Sequence, residues 1–446
     1  MRDEADSHPF VLHPHRTMLV LSLPVLFSLI AEPLTGLADT AFVARLGAEP
    51  LAALGVATVL LSSIFWVFNF LGIGTQTAVA RAHGAHRLGD ASAAIATALL
   101  TALAVGVALA LVAWPFLAAL AEAMGAHDAM RDAAVTYLAI RFLAAPAILV
   151  TIVAFGALRG VQDMRTPFWI AVTINAVNVL LCALLVFGRG PVPGFGVAGA
   201  AWATAVSQTA GAAWAVLAVW RVLGPFARVR ARAMLELLVV GRDLVLRTGL
   251  LLFFLLLATR AATHAGADAG AAHQAVRQVW VLTALLLDAY AATAQTLVGY
   301  FLGAGRVALA RRVALVGCAW GLATGGALTL GMLLSTASFA WLLVPAAATA
   351  AFPAAWTVAA LAQPLNALSF VTDGVHWGTG DFRYLRNAML LATLSGAALL
   401  ATVDVRQPGA LAAIWTVTAT WIAIRALFGV IRIWPGVGRS PLAPPR

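Results

Sequence analysis

Apolar residues in this chain come in runs far longer than a strand or a soluble core helix needs, and polar residues collect in the short stretches between them. Crossing a bilayer takes about 20 mostly apolar residues in one helix. Twelve runs meet that length, at 17–44, 52–79, 93–120, 132–156, 167–188, 197–222, 244–264, 273–300, 311–334, 348–376, 385–403 and 409–431. Period-two alternation is weak throughout, so the pattern predicts a helical bundle rather than a β-barrel.

Composition supports that reading. The chain is 62% hydrophobic and 10% charged, against roughly 25% charged residues in soluble domains. Its net charge is +10, and no basic residue is a lysine. Arginines sit in short loops between apolar runs, so the partner they suit is the lipid bilayer and not nucleic acid. Most fall in the even-numbered connections, such as Arg81 and Arg87, Arg159 and Arg165, and Arg306, Arg311 and Arg312. The odd connections hold only Arg45, Arg131, Arg189 and Arg406. The positive-inside rule then places the even loops and both termini in the cytoplasm of a cell inner membrane. A polar tail is expected over 1–16, with the first apolar run retained as a membrane helix. Residues 223–243, with Arg228, Arg230 and Arg232, read as a linker on the inner surface. Residues 432–446 form a second tail, of which Arg439–Arg446 is Pro-rich and expected to be disordered. Cys182 and Cys318 lie in apolar segments, which argues against a disulfide framework or a metal site. No cofactor is expected, and the protein is expected to be a monomer.

The two halves repeat. A shift of 219 residues lays Arg45 over His264, Asn69 over Asp288 and Gln76 over Gln295. A shift of 218 lays Gly160-Val161-Gln162-Asp163-Met164-Arg165 over Gly378-Thr379-Gly380-Asp381-Phe382-Arg383. The expected fold is an all-α polytopic membrane protein of twelve transmembrane helices, in two six-helix lobes (17–222 and 244–431) related by a parallel repeat. Parallel repeats suit a central cavity and rocking alternating access.

Several motifs carry a family resemblance. The run from Ala31-Glu32-Pro33-Leu34-Thr35 through Asp39-Thr40-Ala41-Phe42-Val43-Ala44-Arg45-Leu46-Gly47 resembles the first helix of the multidrug and toxic compound extrusion family, in its DinF-like branch. Leu158-Arg159-Gly160-Val161-Gln162-Asp163-Met164-Arg165-Thr166-Pro167, Leu287-Asp288-Ala289-Tyr290 and Gly378-Thr379-Gly380-Asp381-Phe382-Arg383 are similar to later motifs of that branch, in the same order. The resemblance spans about residues 17 to 430. It implies antiport, in which protons or sodium enter while small organic compounds, often cationic or amphipathic, leave.

Ionisable groups inside a membrane are expensive and are functional candidates by default. Glu32, Thr35 and Asp39 share one face of the first helix, which Pro24 and Pro33 interrupt. Removing a carboxylate from water penalises its charged form, as a proton carrier requires. The resemblance implies that Asp39 is the coupling site, that Asn178 joins its polar network, and that Pro24 lets the helix bend. Asn175 lies on the same helix as Asn178, and Thr204 is a weaker candidate. Where the family often carries a second aspartate, this chain has Cys182. That departure favours protons over sodium, a hard cation that prefers oxygen ligands. Glu32 is the candidate to replace the missing acid. Asp288 and Asp373 are secondary candidates in the second lobe.

The alternatives are sodium-coupled antiport and a lipid-linked precursor flippase. An enzyme is disfavoured, because the chain lacks a clustered metal motif, a Gly-x-Ser-x-Gly elbow and a phosphate loop.

Overall fold

The computed structural model describes residues 7–188, 191, 193–229 and 231–443, with the side chains of 32, 231–233 and 236 also outside the description. Among the described residues, ten helices are long and apolar enough to cross a membrane, and two bent pairs complete a set of twelve. In order these are α1 (Pro14–Ala44), α2 (Ala48–Gly84), α3 (Leu88–Ala123), α4 (Asp128–Leu143 and Ala145–Gly160), α5 (Arg165–Leu185), α6 (Gly196–Leu223), α7 (Ala231–His264), α8 (Ala267–Gly303), α9 (Val307–Leu334), α10 (Phe352–Leu361 and Gln363–Thr379), α11 (Phe382–Ala401) and α12 (Ala410–Ile433). Each of the twelve predicted runs lies on one of them.

Two spans that read as continuous are bent, α4 by 48° and α10 by 45°. Pro146 and Pro364 begin the second segment of each, where a missing N–H and the ring clash break the preceding turn. A glycine of the preceding span packs onto each proline. A Cβ at Gly106 would lie 2.5 Å from Pro146 Cα, and one at Gly325 would lie 2.7 Å from Pro364 Cα. These bends are thus a repeat feature in three dimensions, set by matched Gly and Pro residues.

Chain contacts define two compact units. One is Leu23–Gly241, and the other combines the chain through Ser22 with Arg242–Arg446. These divisions differ from the loop-based boundaries expected above, because both fall inside helices. The first cuts α1 between Ser22 and Leu23, next to Pro24. The second cuts α7, which absorbs most of the linker by starting at Ala231. Within 234–240, Leu237 is half-buried while Leu235, Leu238 and Val239 are exposed. In the first unit Leu237 reaches Gly74, where a Cβ would stand 2.9 Å from Leu237 Cδ1. Pro24 and Pro33 both lie within the helical run of α1, the former half-buried and the latter exposed.

The tails differ from expectation as well. In the second unit residues Pro9–Leu12 form a helical turn capped by His8, whose Nδ1 accepts from Phe10 N at 3.1 Å. Phe10 is fully buried beside Phe301. At the other end Arg432 donates to Asp381 Oδ2 (2.7 Å), Val437 O (2.7 Å) and Arg439 O (3.1 Å), which folds 434–443 back with Leu442 buried. Proline content alone predicted disorder because it carries no information about a basic side chain a few residues upstream. Losing a charge-assisted bond of this kind costs about 2 kcal/mol, or on the order of 30-fold in local opening. Arg432→Gln should therefore speed tryptic cleavage after exposed Arg439 by that order. An unchanged cleavage rate would show that the tail is held by something else.

Candidate functional site

Serines and threonines inside these helices mostly return their hydroxyl proton to a backbone carbonyl three or four residues back, as Thr97 and Thr101 do. Such bonds satisfy a polar group without any tertiary partner. Asp39 cannot do this, since an ionised carboxylate only accepts. It sits five residues before the end of α1 and is 5% exposed. Its environment must be built by other helices.

α5 and α6 supply it. Cys182 Sγ donates to Asp39 Oδ1 at 3.2 Å, and Thr204 Oγ1 donates to Oδ2 at 3.1 Å. Asn178, one turn before Cys182, is fully buried and donates from Nδ2 to Thr204 Oγ1 at 2.9 Å. The Cys182 thiol also lies 3.9 Å from Asn178 Oδ1. Thr204 Oγ1 has a further acceptor, Ala200 O at 3.0 Å. Two residues of α4 close the surroundings. Tyr137 is buried within electrostatic reach of Asp39 and Thr204. Arg141 acts on Asp39 through space while its Nη1 donates to Gln208 Oε1 at 3.0 Å. Among the described residues no cation forms an ion pair with Asp39. A lone carboxylate therefore rests among neutral hydroxyl, thiol and amide groups.

The other sequence candidates separate. Thr35 gives its hydroxyl to Ala31 O at 3.1 Å. With Asn175 and Leu34 it lines a shallow, mostly apolar groove of about 410 Å³. The structure does not bring Thr35 or Asn175 to the Asp39 carboxylate. The Glu32 side chain lies outside the described residues. Asp288 is half-buried on α8. Asp373 is held between Arg247 and Arg425, with Arg425 Nη2 at 2.9 Å. It is one member of a buried charge cluster.

The two Gly-x-x-Asp-x-Arg loops also play different parts. Asp163 caps α5 by accepting from Arg165 N (3.1 Å) and Thr166 N (3.0 Å), whereas Asp381 pairs with Arg432. Tyr137 and Arg425 were not singled out from the sequence. Arg425 carried a usable signal, as an arginine eight residues inside a 24-residue apolar helix. Tyr137 carried none, because a buried tyrosine is ordinary packing.

The polar site does not repeat. The offsets that align the halves place Ala258 opposite Asp39, Gly396 opposite Asn178 and Leu400 opposite Cys182. Ala258 and Leu400 belong to an apolar core. One lobe therefore carries the acid site and the other does not.

Comparison with known proteins agrees with this architecture. The MatE family profile matches residues 24–184. Protein DETOXIFICATION 44, a chloroplastic protein of Arabidopsis thaliana, is 31% identical over 441 residues, covering 94% of this chain and 82% of the relative. DNA damage-inducible protein F of Escherichia coli K12 is 30% identical over 303 residues, covering 66% of this chain and 65% of the relative. A crystal structure of a MATE protein in a bent conformation superposes with a TM-score of 0.86 at 21% identity, over 95% of this chain and 96% of that one. With identity of this level along nearly its whole length, the chain belongs to the multidrug and toxic compound extrusion family, whose members are multi-pass membrane transporters and not enzymes.

Proposed function

We propose that this transporter exports small organic compounds across a cell inner membrane in exchange for protons, with Asp39 as the proton carrier. The observation that carries this reading is the Asp39 carboxylate, buried in α1 without an ion-pair partner among the described residues. An acid in that setting changes charge at the smallest structural expense.

Its hydrogen-bond network accommodates both charge states. When Asp39 is ionised, the Thr204 hydroxyl donates to Oδ2 and accepts from Asn178. When Asp39 takes a proton, its own O–H donates to Thr204, and the Thr204 proton turns to Ala200 O, already at 3.0 Å. Each atom keeps a partner in either state, so the proton exchange needs no heavy-atom movement at the site itself. What changes is the force on α1. A charged Asp39 binds α5 and α6 through charge-assisted bonds, and a neutral one binds them about half as strongly. Weaker anchoring lets α1 bend at Pro24, where one backbone hydrogen bond is already missing.

Protons fit this site better than sodium. A sodium ion wants several oxygen ligands, and the position facing Asp39 from α5 is the sulfur of Cys182. The arginine-rich loops support an inner-membrane orientation with both termini in the cytoplasm.

The test uses reconstituted protein in acid-loaded vesicles with an internal pH dye. Substrate addition should collapse the pH gradient, and sodium should not substitute for it. Movement of solute without any dependence on either gradient would end this reading. Within the network, Thr204→Val keeps the shape but removes the switching hydroxyl. It should slow proton-driven transport by roughly 10-fold, equivalent to a lost hydrogen bond to a charged group of about 1.4 kcal/mol or more. Thr204→Ser should restore most of the rate. Equal rates for the valine and serine variants would show that Thr204 only packs.

A further inference from the structure

The unit containing Arg242–Arg446 buries a second charged group that proton exchange at Asp39 does not use. Asp373, on the second segment of α10, takes Arg247 of α7 and Arg425 of α12 on the same oxygen, Oδ2. The three side chains are only 8%, 10% and 4% exposed for Arg247, Asp373 and Arg425 respectively. Two guanidinium groups face one carboxylate, which leaves an excess positive charge in the interior.

Nothing nearby offsets it among the described residues. Asp243 is taken by Arg386 at 2.6 Å, and Asp381 by Arg432. The ring of Trp421 lies 4.6 Å from the Arg425 guanidinium and that of Trp377 lies 5.5 Å from Arg247, so aromatic faces cover the cations. Their edges remain unmet. Arg425 Nε and Nη1 and Arg247 Nε have no hydrogen-bond partner, and neither does Ser369 Oγ, one turn before Asp373. Buried donors without acceptors are costly and call for an explanation.

The fold does not demand this cluster. At the repeat offsets, Ser28 stands opposite Arg247 and Phe155 opposite Asp373. The matching lobe carries no carboxylate and no arginine pair at those positions; one half-buried arginine, Arg159, donates to Ser28 at 3.1 Å and lies 6.0 Å from the Phe155 ring. A surplus of cations with open N–H groups is the complement of an oxyanion, and arginine is the side chain best suited to carboxylate and phosphate.

We propose that Arg247 and Arg425 form a binding site for the carboxylate or phosphate group of an organic anion, with the Asp373 carboxylate occupying the arginines between ligands. This rests on the reading of the chain as an exporter and names a substrate class for it. The site lies six residues from the end of α10, about 9 Å along the helix, on the side where the arginine-rich loops lie. An anion leaving as a proton enters moves positive charge inward twice, so the membrane potential drives both movements.

The experiment measures equilibrium binding of labelled inorganic phosphate and labelled succinate to full-length protein in phosphatidylcholine nanodiscs. Saturable binding of at least one probe is expected, competed by the other and indifferent to tetraphenylphosphonium. Arg425→Gln should weaken it at least 10-fold while leaving the thermal midpoint unchanged or raised, because one carboxylate then faces one guanidinium. Asp373→Asn should do the opposite, tightening binding several-fold and lowering the midpoint until anion is added. Phosphatidylglycerol in the nanodisc separates the sources. Displacement of the probe by it assigns the site to a lipid headgroup, and no displacement assigns it to a soluble anion. Absence of saturable binding of both probes to folded wild-type protein overturns the proposal, as does unchanged binding in Arg425→Gln. If binding is absent while Asp39-dependent proton exchange persists, this inference fails alone.

Discussion

Asp39→Asn should leave a folded protein that still binds its substrate but no longer couples its movement to protons. Asparagine is nearly isosteric: its amide oxygen can replace one carboxylate oxygen and accept from Thr204 or Cys182, while its NH2 faces the other, whose oxygen or sulfur can accept. What it lacks is the ability to gain and lose a charge. The expected effect is large because coupling is all-or-none. One charge moving through roughly 150 mV is equivalent to about 3.5 kcal/mol, which sustains a substrate gradient of about 300-fold. The variant should sustain none, and substrate addition should leave an imposed pH gradient intact. Direct measurement is internal pH in reconstituted vesicles, beside substrate binding by the same preparation. Full retention of proton-coupled transport would move the carrier elsewhere, and Asp288 would be the next residue to test. Asp373 would be a poor substitute, since neutralising it would leave two buried guanidinium groups facing each other.

The second large effect concerns packing and no ionisable group at all. Gly374→Val should prevent the second unit from folding, and Gly374→Ala should lower its stability markedly. A Cβ at Gly374 would fall against the carbonyl oxygen and Cα of Ala291 on α8. Backbone cannot rotate away as a side chain can, so the two helices must separate. Overpacking of this kind typically costs 1–3 kcal/mol or more, and a branched side chain belongs at the upper end. The first unit has the same construction, with Gly156 of α4 against Gly72 of α2. Gly326→Ala is the control, because its Cβ position has nothing within 4 Å. Thermal midpoints from fluorescence-detected gel filtration decide the matter. A Gly374→Ala midpoint within a degree of wild type would show that α8 and α10 have room that their geometry does not reveal.

These two cases mark what was legible from one dimension. Membrane helices are local objects. Length and hydropathy within a single run determine them, because lipid demands that each span satisfy its own backbone. All twelve runs were therefore readable, as was the repeat, which compares the chain only with itself. Asp39 and Asn178 could be read because a polar residue in an apolar run is conspicuous wherever it lies, and Cys182 was visible as a departure from the family pattern.

What the sequence could not state was which distant groups meet. The bends in α4 and α10 depend on prolines and on glycines about 40 residues earlier that pack against them. Thr35 shares a face of α1 with Asp39, and Asn175 lies one turn from Asn178 on α5, so they looked like one site, yet neither Thr35 nor Asn175 joins the hydrogen bonds of Asp39. Asp373 looked like a candidate proton carrier until its partners were seen. Arg247 is 126 residues away and Arg425 is 52 residues away, and no periodicity connects them. Sequence alone determined that this chain is a twelve-helix membrane bundle with acids, Glu32 and Asp39, inside its first span. Only the tertiary structure decided that Asp39 has neutral partners while Asp373 has two cations. The reason is physical: burial in lipid is set by the composition of a segment, but charge compensation is set by contacts between segments.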